Sequence, residues 1–411
     1  MHKLSTLYSK AAIIIVNTLL LFVLINVLAY FINRPAPYAH YITSPQAMLE
    51  QNPTLMQKIY DGKPVEVIAD LYAQAPNVKS HPVLEFMTTP CLGNYYRVGF
   101  ENCRYNSYID SSNIQQKINQ NTWLLGGSTT FGYGVPDDET FAFFLNQLDT
   151  ANTYINLGAP SFHQRLEIEK LIVLLQKGYR PKRVIFLDGL NDLVSLTSSN
   201  FDAAELPAKP YNAYAQDFCV ENMGINKNLP YVLPVVKLWY RYRASVIDKT
   251  QNTAQENIYD AGALYNKQPY LHYQLNKLHE PAPDSALLQK ADAYYMANLT
   301  LLDALSKAYN FEYAVFFQPL GLMLERNHFI PDYAAFQKDF SKYTAIKKVY
   351  LHVKQRIQNK QYPRFYDLSM AHDVCEYPYV DLTHYSASMN RVMAREIVSH
   401  QHIWNADSLP R

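Results

Sequence analysis

The sequence predicts an α/β protein: a three-layer α/β/α sandwich around a mainly parallel five-stranded sheet, preceded by one N-terminal transmembrane helix. Three observations predict it. Five short apolar runs each break at a polar or glycine turn. Helix-like stretches lie between them, and strands alternating with helices imply a parallel sheet covered on both faces. An uncharged apolar segment stands near the N-terminus.

That segment comes first in the chain. Residues 11–32 read AAIIIVNTLLLFVLINVLAYFI, interrupted only by Asn17, Thr18 and Asn26. A helix of this length crosses a bilayer core of about 30 Å at about 1.5 Å per residue. It has no polar stripe to suit a core helix, and no small-residue cleavage site follows it. Lys3 and Lys10 precede it, while after Arg34 there is no Lys or Arg until Lys58. The charge bias predicts a cytoplasmic N-terminus at 1–10, an uncleaved single-pass anchor at 11–32, and everything after it outside. In a bacterium that is the periplasmic side of the inner membrane.

Residues 33–118 carry Pro35, Pro37, Pro45, Pro53, Pro64, Pro76, Pro82 and Pro90, and read as a tether and irregular lead-in. Short helices are expected at 46–60 and 64–74. The main domain spans 119–404. Its strand candidates are TWLLGGS, TYINLGAP, RVIFLDGLND, YAVFFQP and RFYDLS. Helices are expected at 140–148, 164–177, 290–309, 333–358 and 387–404. The second has an apolar face of Leu166, Ile168, Leu171, Ile172, Leu174 and Leu175. A Tyr-, Asn- and Pro-rich stretch at about 195–290 is too long for a loop and reads as an insertion over the active-site end.

Composition narrows the function. The chain has 411 residues, 48% hydrophobic and 18% charged, which suits a globular protein. With 37 basic and 36 acidic side chains it has no basic field for nucleic acid. GGSTTFGYG lacks the lysine of a phosphate-binding loop and does not fit G-x-G-x-x-G, which argues against nucleotide binding. Cys91, Cys103, Cys219 and Cys375 allow three pairings, and Cys91 with Cys103 closes the shortest loop. No C-x-x-C or Cys/His cluster suggests zinc.

Parallel sheets carry their chemistry at the carboxyl ends of the strands. Here those ends hold Ser128, Gly158 and Asn191. Ser128 follows Gly126 and Gly127, which permit a tight turn, and precedes a helix-like segment whose N-terminus favours a developing oxyanion. The spacing is G-x-S-x-x-x-G, with Thr130 where the lipase-type elbow has its last glycine. Gly158 ends the second strand candidate and offers a backbone N–H. Asn191 ends the third and offers an amide donor, and Asp192 beside it suits a helix cap. Asp381-Leu382-Thr383-His384 precedes the last helix: an imidazole able to act as general base, with a carboxylate three residues earlier to orient it. Taken singly, each is as well read as a turn, a cap or a loop residue. Together and in this order they supply a nucleophile, oxyanion donors and an acid/base pair.

This arrangement resembles the SGNH, or GDSL-like, hydrolase family over roughly residues 121–400. Its four named residues match Ser128, Gly158, Asn191 and His384, while Gly127 replaces the family's usual aspartate. The resemblance implies a serine esterase or acyltransferase in which His384, oriented by Asp381, deprotonates Ser128. The N–H groups of Ser128 and Gly158 and the Asn191 amide would hold the oxyanion. No metal or organic cofactor is implied. Ester-bearing carbohydrates or lipids of the cell envelope are the expected substrates. The 34 tyrosines are space-filling first, and in the insertion they suit sugar stacking. Gln318 looks like a site-lining position. His163 reads as a surface residue. His372 competes for the base role, but its neighbour Asp373 offers no equivalent geometry. The competing function is a non-catalytic anchored binding or assembly component of envelope polysaccharide export on the same scaffold; retention of Ser128, Asn191, Asp381 and His384 argues for the enzyme.

Overall fold

An apolar stretch with no glycine or proline inside it satisfies its backbone most simply as a helix, and α1 spans His2–Ile32. Its polar interruptions turn back onto the helix: Thr18 Oγ1 donates to Ile14 O at 2.8 Å and Asn26 Nδ2 to Phe22 O at 2.9 Å. The computed structural model describes residues 2–32, 45–81, 83–197, 284–339 and 343–404. Among the described residues no helix is long and apolar enough to cross a membrane.

The chain divides into two compact units, Met1–Ala39 with Asn212–Tyr259, and His40–Tyr211 with Asp260–Arg411. The second unit holds all the remaining described elements. Most of the expected insertion, 198–283, lies outside the described residues, and Cys219 with it.

The lead-in is more ordered than its proline content suggests. It forms α2 (Pro45–Gln51), α3 (Pro53–Ile59) and α4 (Val65–Ala73), followed by two antiparallel ribbons. These pair β1 (Val78–His81) with β2 (Glu85–Thr88), and β3 (Cys91–Leu92) with β4 (Arg97–Val98). The helix expected at 46–60 is two because Asn52 precedes a proline, which disfavours helical backbone there; its Oδ1 then caps α3 by accepting from Leu55 N at 3.1 Å. Met48, Met56, Ile59, Ile68 and Leu71 are buried in the same core as the sheet, so this region is part of the same packed body. The expected Cys91–Cys103 bridge is not formed. Both thiols are free: Cys91 Sγ donates to Tyr96 O, and Cys103 Sγ lies against the carbonyl of Arg104.

The sheet contains β5 (Thr122–Gly126), β6 (Tyr154–Asn156), β7 (Arg183–Asp188), β8 (Glu312–Phe317) and β9 (Phe365–Asp367) in the order β6-β5-β7-β8-β9. All five are parallel. α5 (Ile114–Lys117) leads into β5; crossovers are made by the short α6 (Ser128–Phe131), α7 (Phe141–Leu148), α8 (Gln164–Gln176), α9 (Leu190–Leu196), α10 (Asp284–Tyr309), α11 (Tyr333–Asp339) and α12 (Tyr343–Gln358); α13 (Ala387–Ser399) closes the fold. The helix expected at 333–358 is thus α11 and α12, with 340–342 outside the described residues.

Strand alternation sends side chains to two faces, and each face has its own core. Trp123, Leu125, Val184, Phe186, Val315 and Phe317 pack with Leu171 of α8, Leu299 of α10 and Val349 of α12. Leu124, Ile185, Leu187, Ala314 and Phe316 pack with Phe144 of α7 and Met393 of α13. Arg104 bridges the outer edge of the sheet by pairing with Asn156, its N–H donating to Asn156 O at 3.0 Å. Strand order reverses between β5 and β7, so their carboxyl ends open the crevice where a doubly wound sheet places ligands.

Candidate active site

Ser128 sits at that crevice. The buried strand β5 delivers the chain to Gly126 and Gly127, and α6 begins at Ser128 itself. The N–H groups of a first helical turn have no intrahelical partner and face outward. Gly132 ends α6 with φ 86°, a left-handed conformation that a side chain disfavours. Gly127 leaves little room for a side chain: a Cβ there would lie 2.5 Å from Asn191 Nδ2 and 3.1 Å from Phe162 O.

His384 reaches Ser128 across 256 residues of chain, with Nε2 2.8 Å from Oγ. Its Nδ1 lies 2.5 Å from Asp381 Oδ2. Asp381 Oδ1 accepts the backbone N–H groups of Thr383 and His384, each at 2.7 Å. Burial works against the charged carboxylate, but the adjacent His384 and these hydrogen bonds outweigh it and hold Asp381 below the ordinary carboxylate value. The loop is closed by Val380 N donating to His384 O at 2.8 Å and passes into α13 at Ser386, whose Oγ caps Met389 N at 3.2 Å. A nucleophile, a base and a buried carboxylate stand in one hydrogen-bonded line.

The expected oxyanion donors divide. Asn191, in the first turn of α9, lines a small cavity with Ser128, Thr129 and Gln318. Its Nδ2 donates to Phe162 O at 2.7 Å, which occupies one of its two hydrogens and orients the group. Gly158 packs so close to α6 that a Cβ would come within 2.6 Å of Phe131 N. Its N–H, however, donates to Asn156 Oδ1 at 3.1 Å. Asn156 Nδ2 in turn holds Thr130 O at 2.9 Å. In this arrangement Gly158 lets two backbones approach, and its N–H is engaged elsewhere.

Asp192 is a cap twice over. It accepts from Gly189 N at 3.3 Å and Gln164 N at 2.9 Å, and also from Tyr294 OH at 2.7 Å, so α8, α9 and α10 meet on one carboxyl. Burial, and then neighbouring carboxyls, push Glu167 and Asp188 well above the ordinary range; burial raises Asp192 too. Gln318 lines the cavity as expected and accepts Thr129 Oγ1 at 2.7 Å. His372 is buried, bonds to Tyr379 OH at 2.7 Å through Nδ1, and is pushed down to about 4 by burial. His163 is not a surface residue: it is half-buried at the N-cap of α8, and loss of solvent takes it down to about 4.

Sequence reasoning missed what holds the loop after α6. Arg104 is 1% exposed. Its Nε donates to Asp137 Oδ1 at 3.0 Å. One terminal nitrogen donates to Phe131 O at 2.9 Å and to Gly132 O; the other to Val135 O at 2.6 Å and Tyr95 O at 3.2 Å. All five guanidinium N–H donors are matched to acceptors. Gly134 in the same loop is gripped by Tyr60 OH at its carbonyl, 2.8 Å, and donates its N–H to Tyr96 OH, 3.1 Å. This loop places the Tyr133 ring 4.7 Å from the His384 ring. No local motif announces such a clamp, because its partners are scattered along the lead-in.

No protein-family model matches the chain, and no curated protein matches it.

Proposed function

We propose that the chain is a serine ester hydrolase of the SGNH type, anchored in a membrane by α1 with its catalytic unit on the outer side of the bacterial inner membrane. The observation that carries the hydrolase reading is the line Asp381–His384–Ser128, with links of 2.5 and 2.8 Å at the carboxyl end of β5. In the reaction His384 takes the Ser128 proton as Oγ attacks an ester carbonyl, then returns it to the leaving alcohol. Asp381 holds the ring in the required tautomer and stabilises its charge. The Asn191 amide and the first-turn N–H groups of α6 receive the oxyanion. Water then releases the acyl group by the same route, or an acceptor alcohol takes it. Carbohydrate or lipid esters of the envelope are the substrates such a placement offers.

The anchor rests on the uncharged stretch 11–32 and on large apolar side chains of α1 that stand open, among them Ile14 at 65% and Leu20 at 62%. A phosphatase fused to the C-terminus is expected to be active in bacteria, and an inactive fusion would reverse the topology. For the chemistry, the full-length protein is treated with a fluorophosphonate probe. Labelling is expected on wild type and absent in Ser128→Ala and His384→Ala. An unlabelled wild type that also leaves aryl esters intact overturns the enzyme reading.

A further inference from the structure

A side-chain amide has an oxygen end and an NH₂ end, and only the NH₂ can receive an oxyanion. The Phe162 carbonyl sets which end of Asn191 faces the Ser128 turn. Asn191 Nδ2 donates to Phe162 O at 2.7 Å, and a carbonyl can only accept. A Cβ built on Gly127 would meet both atoms, Nδ2 at 2.5 Å and Phe162 O at 3.1 Å, so the pair lies against the turn that carries Ser128. Once that carbonyl swings away, the amide is free to flip. Its oxygen then faces the developing negative charge.

The backbone around Phe162 is held on both sides. Ser161 has φ 63°, a left-handed conformation that a side chain disfavours and that persists where its surroundings hold it. Phe162 N donates to Ala159 O at 3.2 Å and closes the turn. Gln164 N donates to Asp192 Oδ1 at 2.9 Å, beside Asn191. The Phe162 ring, 1% exposed, meets the Phe86 ring edge to face, with centroids 5.5 Å apart at 79°. Phe86 is buried and comes from β2, ahead of the stretch that carries the family resemblance. All four residues of β2 pair with β1, which fixes where this ring stands.

We infer that Phe86 is a positioning residue for the oxyanion donor. Through the Phe162 ring it holds the Phe162 carbonyl on Asn191 Nδ2, and so keeps the second amide hydrogen for the oxyanion. The inference rests on the hydrolase reading above. Without the Phe86 ring, Asp192 still grips Gln164 N, so the segment stays in place while the carbonyl gains freedom.

The test is a double-mutant cycle on the full-length protein in detergent, with p-nitrophenyl acetate as the probe ester and circular dichroism as the check of folding. Asn191→Ala is expected to lower kcat about 10²–10³-fold. Phe86→Ala is expected to lower kcat about tenfold with KM little changed, the pattern of an interaction made in the transition state alone. In the Asn191→Ala background the Phe86→Ala effect is expected to vanish. Phe86→Leu, which keeps apolar bulk, covers the case in which the alanine variant does not fold. It is expected to cost about threefold in kcat, with the same disappearance. A loss that persists undiminished beside Asn191→Ala assigns Phe86 to general packing and overturns the inference. So do folded Phe86 variants with wild-type kcat, and so does an Asn191→Ala variant as active as wild type. In these three outcomes Ser128 chemistry stands. A wild type that neither cleaves the ester nor labels at Ser128 with a fluorophosphonate brings down the hydrolase reading and this inference with it.

Discussion

The two sides of the candidate site are built on opposite principles. On one side, Ser128, Asp381 and His384 are each delivered by a short local device: a glycine turn off β5, and a four-residue loop ahead of α13. On the other, the 131–135 loop is held by Tyr60, Tyr96 and Arg104, residues 27 to 74 positions away from their partners except for the short link to Tyr95. The first side defines which atoms would react in the proposed hydrolysis. The second defines how firmly they are held. A segment that reads as a tether is therefore structural support for the loop beside the candidate site.

The largest expected effect falls on the reacting side. Asp381→Asn keeps the shape but removes the charge that faces the imidazole, and kcat is expected to fall about 10⁴-fold with the fold intact. A stopped assay of ester hydrolysis beside circular dichroism checks it; retained activity would detach Asp381 from the base. The same variant has a signature in acid. The Asp381 carboxyl is held below its ordinary 3.8, so its stabilisation is present above that value and lost as pH falls through the lower folded one. Asp381→Asn is expected to flatten that part of the stability–pH curve.

Next comes the clamp. Arg104→Met preserves bulk but strips five donors from buried carbonyls and a buried carboxylate, and a loss of about 3–5 kcal/mol is expected in denaturant unfolding. Arg97 Nε still reaches Asp137 Oδ2 at 2.7 Å, which keeps the carboxylate partly paired. A change under about 1 kcal/mol would show that Arg104 is not what holds the loop, and the contrast between the two sides would dissolve.

These regions also differ in what a sequence reveals. TWLLGGS, RVIFLDGLND and YAVFFQP are legible as strands because a strand buried on both faces is a continuous apolar run, and each run ends where β5, β7 and β8 end. Asp381 and His384 are legible as a pair because they stand three positions apart. The engagement of Gly158 N–H by Asn156 is not legible, since it depends on a side-chain rotamer two residues away. Arg104 is not legible either: in sequence it is one arginine among proline-rich surroundings, and only the paired edge at Asn156 brings it under the loop. Nor was Asp192 legible beyond a single cap, because its other partners, Gln164 and Tyr294, sit on separate helices.

The smallest effect is the one that joins the two sides. Tyr133 belongs to the clamped loop, yet its ring stands 4.7 Å from the His384 ring at an interplanar angle of 46°. The ring limits how far the imidazole can turn from its 2.8 Å contact with Ser128, and its electron density favours the charge that appears on His384 during proton transfer. A contact of this kind contributes about 1 kcal/mol, so Tyr133→Leu is expected to lower kcat about fivefold to tenfold with KM little changed. Tyr133→Phe keeps the ring and is expected to stay near wild type. The ring also leaves a direct mark: its current shifts the imidazole proton resonances of His384, and Tyr133→Leu is expected to remove that shift while Tyr133→Phe retains it. Equal losses in Phe and Leu would assign the effect to the hydroxyl, and the loop would then reach the base through hydrogen bonding instead of ring packing.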